Sequence, residues 1–306
     1  MKERIIKFLI SPEIGIELGI ALLNLSFKTI TLTREFKLSR SHEKFIKQNP
    51  TEFQTTSAGY SLCVNVQQGK PYPPKEWSRL LCQNKIWEIW KNNAGEYFFF
   101  NPNQQPVRQI QINAAFSAGT MLGEFICQDK QQEELIPQSL EIVLFSNWLA
   151  GIGDFILHAS GFVKDGKAYA FLGESGAGKS TLIRSLLTQP GVTILGEDQV
   201  ILRYFDDQFW AFGTPWHLDP MVCSPMGAPL NGLFFLDRKK PTGLHRLTLL
   251  TAYERILQTA FIPYYREDAL EKIMDKISKL IYAVPLKTLS YNLEDNLLNI
   301  IESDLI

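Results

Sequence analysis

The segment Gly173-Glu174-Ser175-Gly176-Ala177-Gly178-Lys179-Ser180 has the residue types and spacing needed to hold a chain of phosphates. It satisfies the pattern G-x-x-x-x-G-K-[ST] at every fixed position, directly after the apolar run 168–172 and directly before a helical pattern starting at Thr181. Glycines let the backbone turn so that successive N–H groups point inward at phosphate oxygens. Lys179 then offsets charge on the β and γ phosphates, and the Ser180 hydroxyl can ligate magnesium. Residues 173–181, ending at Thr181, are the expected nucleotide contact.

A second candidate is the acidic pair Glu197-Asp198, which follows Gly196 at the end of the strand-like run 192–195. A solvated turn would have the same composition, but uncompensated acids beside phosphates need a cation. The pair terminates the next strand after the phosphate-loop helix, and that strand is expected to return beside the loop strand. Its carboxylates would lie at the carboxyl end of the sheet, where open α/β sheets bind ligands. There they can hold magnesium and take a proton from an attacking hydroxyl. His158 ends a short run that a Lys164-Asp165-Gly166-Lys167 hairpin would join to the loop strand, so it belongs near one sheet end. Gly213-Thr214-Pro215-Trp216-His217 is a rigid aromatic loop that either buries Trp216 or offers Trp216 and His217 to a substrate.

Positioning these groups requires an α/β unit, which the spacing supplies. Residues 155–157, 168–172 and 192–195 read as core strands, 181–187 as a helix, and 140–152 as a buried helix. A further β-region covers 200–212, the tail 253–281 has helical spacing, and 283–286 reads as a strand. Upstream, 23–33 alternates like a half-buried strand, and 86–90, 96–100 and 109–115 read as strands of antiparallel hairpins. The polar run 128–134 has nothing to bury and marks a linker. This gives a β-rich accessory domain over 1–130 and a nucleotide-binding domain over 131–306. The first, which carries Trp77, Trp87 and Trp90, is expected either to buttress the second or to wall a substrate cleft.

Composition narrows the classes. The 306 residues are 45% hydrophobic, and 31 Lys+Arg against 32 Asp+Glu leave a net charge of -1. That balance gives no overall attraction to nucleic acid or anionic membranes, so any phosphate recognition must be local. The 4 cysteines are far apart, without a CxxC pair or a histidine at zinc-ligand spacing. The apolar stretch 14–25 is interrupted by Glu17 and is too short to span a bilayer. A reducing, cytoplasmic protein is expected, with no membrane or nucleic-acid partner.

Taken together, His158-Ala159-Ser160, Asp165-Gly166, the phosphate loop, the early acidic pair, Gly213-Thr214-Pro215-Trp216-His217 and the segment 228–236 (Ala-Pro-Leu-Asn-Gly-Leu-Phe-Phe-Leu) resemble the HPr kinase-like family. These P-loop kinases are related to the catalytic domain of HPr kinase/phosphorylase and more distantly to phosphoenolpyruvate carboxykinase. The resemblance is strong over 140–240, weak in the tail and absent from the N-terminal region. It implies an α/β P-loop kinase core of that type, preceded by a β-rich α+β domain. It also implies a kinase that uses ATP and magnesium, with Lys179, Glu197, Asp198 and His158 as catalytic residues and Ser180 and Asp198 at the metal. The family usually has two aspartates where this chain has Glu197-Asp198, so the division between base and metal ligand is open. The glycine-rich Glu-Ile-Arg-Gly-Leu-Gly segment of true HPr kinases is missing, which argues against HPr as the acceptor. Relatives with the Thr-Pro-Trp-His arrangement include kinases that modify ribosomally made peptides and small-molecule serine kinases. The expected acceptor is therefore a Ser or Thr hydroxyl of a peptide, protein or small molecule, and homo-oligomerisation is left open. The alternative is an NTPase or ATP-binding regulatory module without an acceptor. A transporter ATPase is excluded because no Leu-Ser-Gly-Gly-Gln signature follows the loop.

Overall fold

A computed structural model describes residues 6–7, 16–29, 35–36, 40–46, 60–76, 78–105, 107–124, 135–174, 176–217, 219–292 and 297–302. The described residues form a mixed α/β, sheet-rich chain with six helices. Two compact units divide it, Met1–Trp148 and Leu149–Ile306. The expected linker at 128–134 and the boundary near 130 lie outside the described residues, as do Trp77 and Ser175.

The first unit contains β1 (Ile6–Lys7), β2 (Ile16–Ile20), β3 (Leu23–Thr29), β4 (Glu35–Phe36), α1 (Arg40–Glu43) and β5 (Tyr60–Gln68). They are followed by β6 (Ser78–Gln83), β7 (Glu88–Asn92), β8 (Tyr97–Phe100), β9 (Arg108–Ile112), β10 (Ala118–Gly123) and α2 (Gln138–Gly151), in which the unit ends. β1 pairs with β4, and the other strands form one sheet in the order β2-β3-β5-β10-β9-β8-β7-β6. Alternation puts Leu23, Leu25 and Phe27 on its buried face beside Leu62, Val64 and Val66. Within the apolar stretch 14–25, the described residues from 16 onward form the hairpin of β2 and β3. Ala21 and Leu22 turn it with φ of 52° and 64°, a left-handed conformation that a Cβ disfavours.

Asparagines set the strand ends. Asn84 Oδ1 accepts from Ile86 N and Trp87 N at 2.7 and 2.8 Å, so β7 starts at Glu88 rather than residue 86. Asn113 Oδ1 accepts from Ser117 N at 2.9 Å, which ends β9 at Ile112. Helix α2 is buried along most of its length, and its Glu141 is fully buried. Glu141 Oε2 lies 2.8 Å from His42 Nε2.

The second unit begins with β11 (Phe155–Leu157), β12 (Ala159–Lys164), β13 (Lys167–Leu172), α3 (Lys179–Leu186), β14 (Val192–Gly196), β15 (Val200–Phe205) and β16 (Gln208–Phe212). It continues with β17 (Gly227–Leu236), β18 (Gly243–Arg246), α4 (Leu249–Thr259), α5 (Glu267–Ala283), β19 (Leu286–Ser290) and α6 (Leu297–Glu302). The sheet order is β11-β15-β16-β17-β13-β12-β14, with β19 and β18 continuing from β17. Ten-residue β17 joins the two halves, pairing first with β16 and then with β13 and β19. The expected turn is present: Lys164 pairs with Lys167 around Asp165 and Gly166, whose φ of 51° and 73° suit a type I′ turn. The strand it joins to β13 is β12, however, which starts after His158, while the run before His158 is β11 and pairs with β15.

Pleat alternation sends the β13 side chains to two cores. Ala168, Ala170 and Leu172 pack with α4 and α5 through Ile256, Ile273 and Ile277. Tyr169 and Phe171 pack with α3 and α6 through Leu182, Ile183 and Ile301. The helical tail is two helices, because Pro263 lacks the N–H a continuous helix needs and Ala260 pairs with Leu157 instead. The strand expected at 283–286 starts only at Leu286, since α5 runs through Ala283. Inside this unit, Asp154 is buried against Arg203 Nε at 2.9 Å and Tyr204 N at 3.1 Å. Burial raises its carboxyl above the ordinary value, while Arg203 and Lys276 pull it back. No helix among the described residues is long and apolar enough to cross a membrane.

Candidate functional site

The site lies at one end of the second sheet. Leu172, the last residue of β13, pairs with Ala159 at the start of β12 and with Phe235 near the end of β17, while Gly196 ends β14 opposite Gly161. The 173–180 loop, His158, the acidic pair and the loop after β17 therefore share that end. β12, antiparallel to both neighbours, separates β13 from β14. The acid strand is thus parallel to the loop strand but one strand further away than expected. The hairpin partner β12 takes one edge of β13 and β17 takes the other, which leaves β14 to pair on the far side of β12.

The loop turns through Gly176 and Gly178 at φ of 81° and 100°, in the left-handed region that a side chain disfavours. Gly178 caps α3, so Lys179 is the first helical residue and the amides of the first turn face the loop. The Lys179 ammonium is buried and donates to Gly173 O at 2.7 Å and Glu174 O at 3.4 Å. Burial pushes its pKa below the ordinary lysine value, and the nearby Asp198 carboxylate acts in the opposite direction. Ser180 and Thr181 are exposed on the same turn.

Asp198 is about half exposed and its Oδ1 lies 3.3 Å from His158 Nδ1. His158 is itself held by its backbone N–H, which donates to Thr259 O at 2.8 Å. Glu197 is more enclosed: Arg184 of α3 lies 3.6 Å from its Oε2, which is buried without a hydrogen bond among the described residues. The Ser160 hydroxyl donates to Glu197 O, tying the acid turn to β12. One sheet end thus brings together Lys179, His158 and Asp198, with Glu197 beside α3.

Trp216 and His217 are both buried. His217 Nε2 is 3.1 Å from Thr214 Oγ1, whose hydroxyl donates to Gln199 O. A Cβ on Gly196 would come within 2.7 Å of His217 Nε2, so this loop packs directly under the acid turn. His217 is thus enclosed against the acid turn rather than exposed.

A cavity of about 420 Å³ opens beside the loop, with Gly173, Glu174, Gly176 and Ala177 on one side and Arg238, Lys239, Arg255 and Thr259 on the other. Arg184, Arg238, Arg255 and Tyr291 carry no motif of their own. The only sequence signal for Arg238 is its place just past the end of an apolar strand, at Leu236. No group of three or more His, Cys, Asp or Glu among the described residues is clustered to hold a metal ion by itself. The donors at this end are oxygens, a hydroxyl at Ser180 and carboxylates at Asp198 and Glu197, and one buried oxygen of Glu197 accepts no hydrogen bond among the described residues. Such a set fits magnesium that takes most of its remaining ligands from phosphate and water.

No protein-family model matches the sequence, and no curated protein matches it. Among solved structures, the chain is similar to the Hpr(Ser) kinase/phosphatase from Coxiella burnetii, at 17% sequence identity and a TM-score of 0.29, covering 48% of this chain and 86% of that one.

Proposed function

We propose that this protein is a P-loop kinase that uses ATP and magnesium to transfer a γ-phosphoryl group to a Ser or Thr hydroxyl of a peptide, protein or small molecule. The observation that carries this reading is the meeting of two halves at one sheet end. A phosphate-type loop holds the buried Lys179, and an acid turn places Asp198 close enough to oppose the loss of Lys179 charge. Either half alone would be ordinary. The sequence resemblance to HPr kinase-like proteins over 140–240 supports the same reading, and a ribosomal peptide precursor is one acceptor of the required chemistry.

In this reading the amides of the 173–180 loop and the Lys179 ammonium bind the phosphates and stabilise charge that spreads over the phosphoryl oxygens. Ser180 and Asp198 would hold magnesium, which when bound neutralises charge on the phosphates. Glu197 or Asp198 takes the acceptor proton as the hydroxyl oxygen forms its bond to phosphorus and the bond to ADP breaks. His158 orients Asp198 through its ring nitrogen. Thr214, His217 and Ser160 hold the acid turn in place.

Transfer of the γ-phosphoryl group from labelled ATP to Ser-containing acceptors, against hydrolysis without acceptor, tests the assignment. Lys179→Ala should abolish turnover or weaken nucleotide binding. Asp198→Asn should keep metal-free nucleotide binding and lose transfer by about a hundredfold or more. Undiminished turnover in Lys179→Ala, or retained transfer in both Asp198→Asn and Glu197→Gln, places the chemistry elsewhere. Hydrolysis that no acceptor diverts favours an NTPase.

A further inference from the structure

The loop after β17 puts a second cation against the phosphate loop, on the side opposite the acids. A Cβ built on Gly178 would lie 2.1 Å from Arg238 Nη2, so the guanidinium rests directly on the residue that precedes Lys179. Two contacts fix this arrangement. The Tyr291 hydroxyl, just past the end of β19, donates to Gly178 O at 3.1 Å. Arg238 also hydrogen-bonds the Tyr291 hydroxyl and acts with its charge to lower the Tyr291 pKa, which burial raises. Arg238 is exposed, and it lines the same cavity as Gly173, Glu174, Gly176 and Ala177. No carboxylate among the described residues forms an ion pair with it.

The sheet order gives this cation a direction. β17 lies on one side of β13, and β12 with β14 lies on the other. A phosphate chain on the 173–180 loop is then bounded by Arg238 at one end and by Asp198 and Glu197 at the other. The acids are where a phosphoryl group can meet an acceptor and a base, so the end toward Arg238 is the one that stays behind.

Resting on the nucleotide-binding reading of the loop, we propose that Arg238 is a ligand of the phosphates that are not transferred, the α and β groups of the nucleotide. A planar guanidinium suits this role, because it offers several donors in a fixed fork to phosphate oxygens. Tyr291 holds it at the loop when no nucleotide is bound. Arg238 therefore contributes to holding ATP and ADP equally, and it acts on binding rather than on the chemical step.

The test uses the full chain, with ADP binding by calorimetry and turnover at saturating ATP. Arg238→Gln should raise the Kd for ADP by about tenfold to a hundredfold, the scale of a charge-assisted hydrogen bond to phosphate. It should leave kcat within about threefold, because the lost contact is made equally before and during transfer. Arg238→Lys, which keeps the charge but not the fork, should recover part of the affinity. An ADP Kd within about twofold of wild type in Arg238→Gln overturns the proposal, as does a fall in kcat with unchanged ADP affinity, which would make Arg238 a transition-state group. Wild-type protein that does not bind ADP removes the nucleotide reading itself and this proposal with it. Normal wild-type binding with an unaffected variant removes only the role of Arg238.

Discussion

Each unit of the chain contains a histidine paired with a carboxylate, and the two pairs are built in opposite ways. In the first, His42 meets Glu141 at 2.8 Å with the Glu141 side chain at 0% exposure. In the second, His158 meets Asp198 at 3.3 Å with exposures of 38% and 53%. The geometry of the first is tighter, yet its carboxylate is fully buried, and the second carboxylate oxygen has no hydrogen-bond partner among the described residues. The looser pair stands in solvent at the end of a sheet, beside a phosphate-type loop. The shorter contact is closed to solvent, while the longer one is open to it, so distance alone says nothing about which pair a second molecule can reach.

The largest effect should come from breaking the buried pair. His42→Ala leaves the Glu141 carboxylate enclosed without that partner and should lower the unfolding free energy by about 4 kcal/mol, read from denaturant melts. Turnover should fall only in step with the folded fraction. A loss below about 1 kcal/mol would show that water or another group satisfies Glu141, and the contrast would collapse. His158→Asn should do the reverse, leaving stability within about 0.5 kcal/mol, as for exposed pairs, while phosphoryl transfer drops about tenfold or more. Unchanged transfer would reduce His158 to a surface neighbour of Asp198.

The smallest effect concerns a second buried acid, Asp154. Burial lifts Asp154 above its ordinary 3.8, so the folded chain holds that proton more tightly than the unfolded one. Its stabilising contribution is complete below the unfolded value and is lost as pH rises through the raised folded value. Asp154→Asn should flatten that part of the curve of unfolding free energy against pH. A mutant curve parallel to wild type throughout would mean that Arg203 and Lys276 fully offset the burial.

The parts legible in the sequence were those encoded by short-range pattern. The Asp165-Gly166 turn and the strands over 155–157, 168–172 and 192–195 depend on residues within a few positions of each other, and the structure has them where the spacing puts them. The order of strands was not legible in the same way. The hairpin puts β12 on one edge of β13 as its turn residues indicate, but β17 rather than β14 takes the other edge, a long-range pairing that no local residue reports. The proximity of His158 to Asp198 follows from that order. His217 illustrates the converse, because a polar residue in a Pro-aromatic loop reads as available until packing under Gly196 encloses it. Arg238 reads as an ordinary surface charge, and only the parallel pairing of β13 with β17 brings it to Gly178.

The intervening strand β12 acts as a ruler. Adjacent strands lie about 4.8 Å apart, so the strand ending in the phosphate loop and the strand ending in the acids are roughly 10 Å apart, with one strand between them. Because that strand runs antiparallel, it begins where its neighbours end, and the residue opening it stands at the midpoint of the gap. Two directly adjacent parallel strands would offer no such address. In this chain the residue opening β12 is Ala159, and His158 immediately precedes it, between the end of β11 and the start of β12.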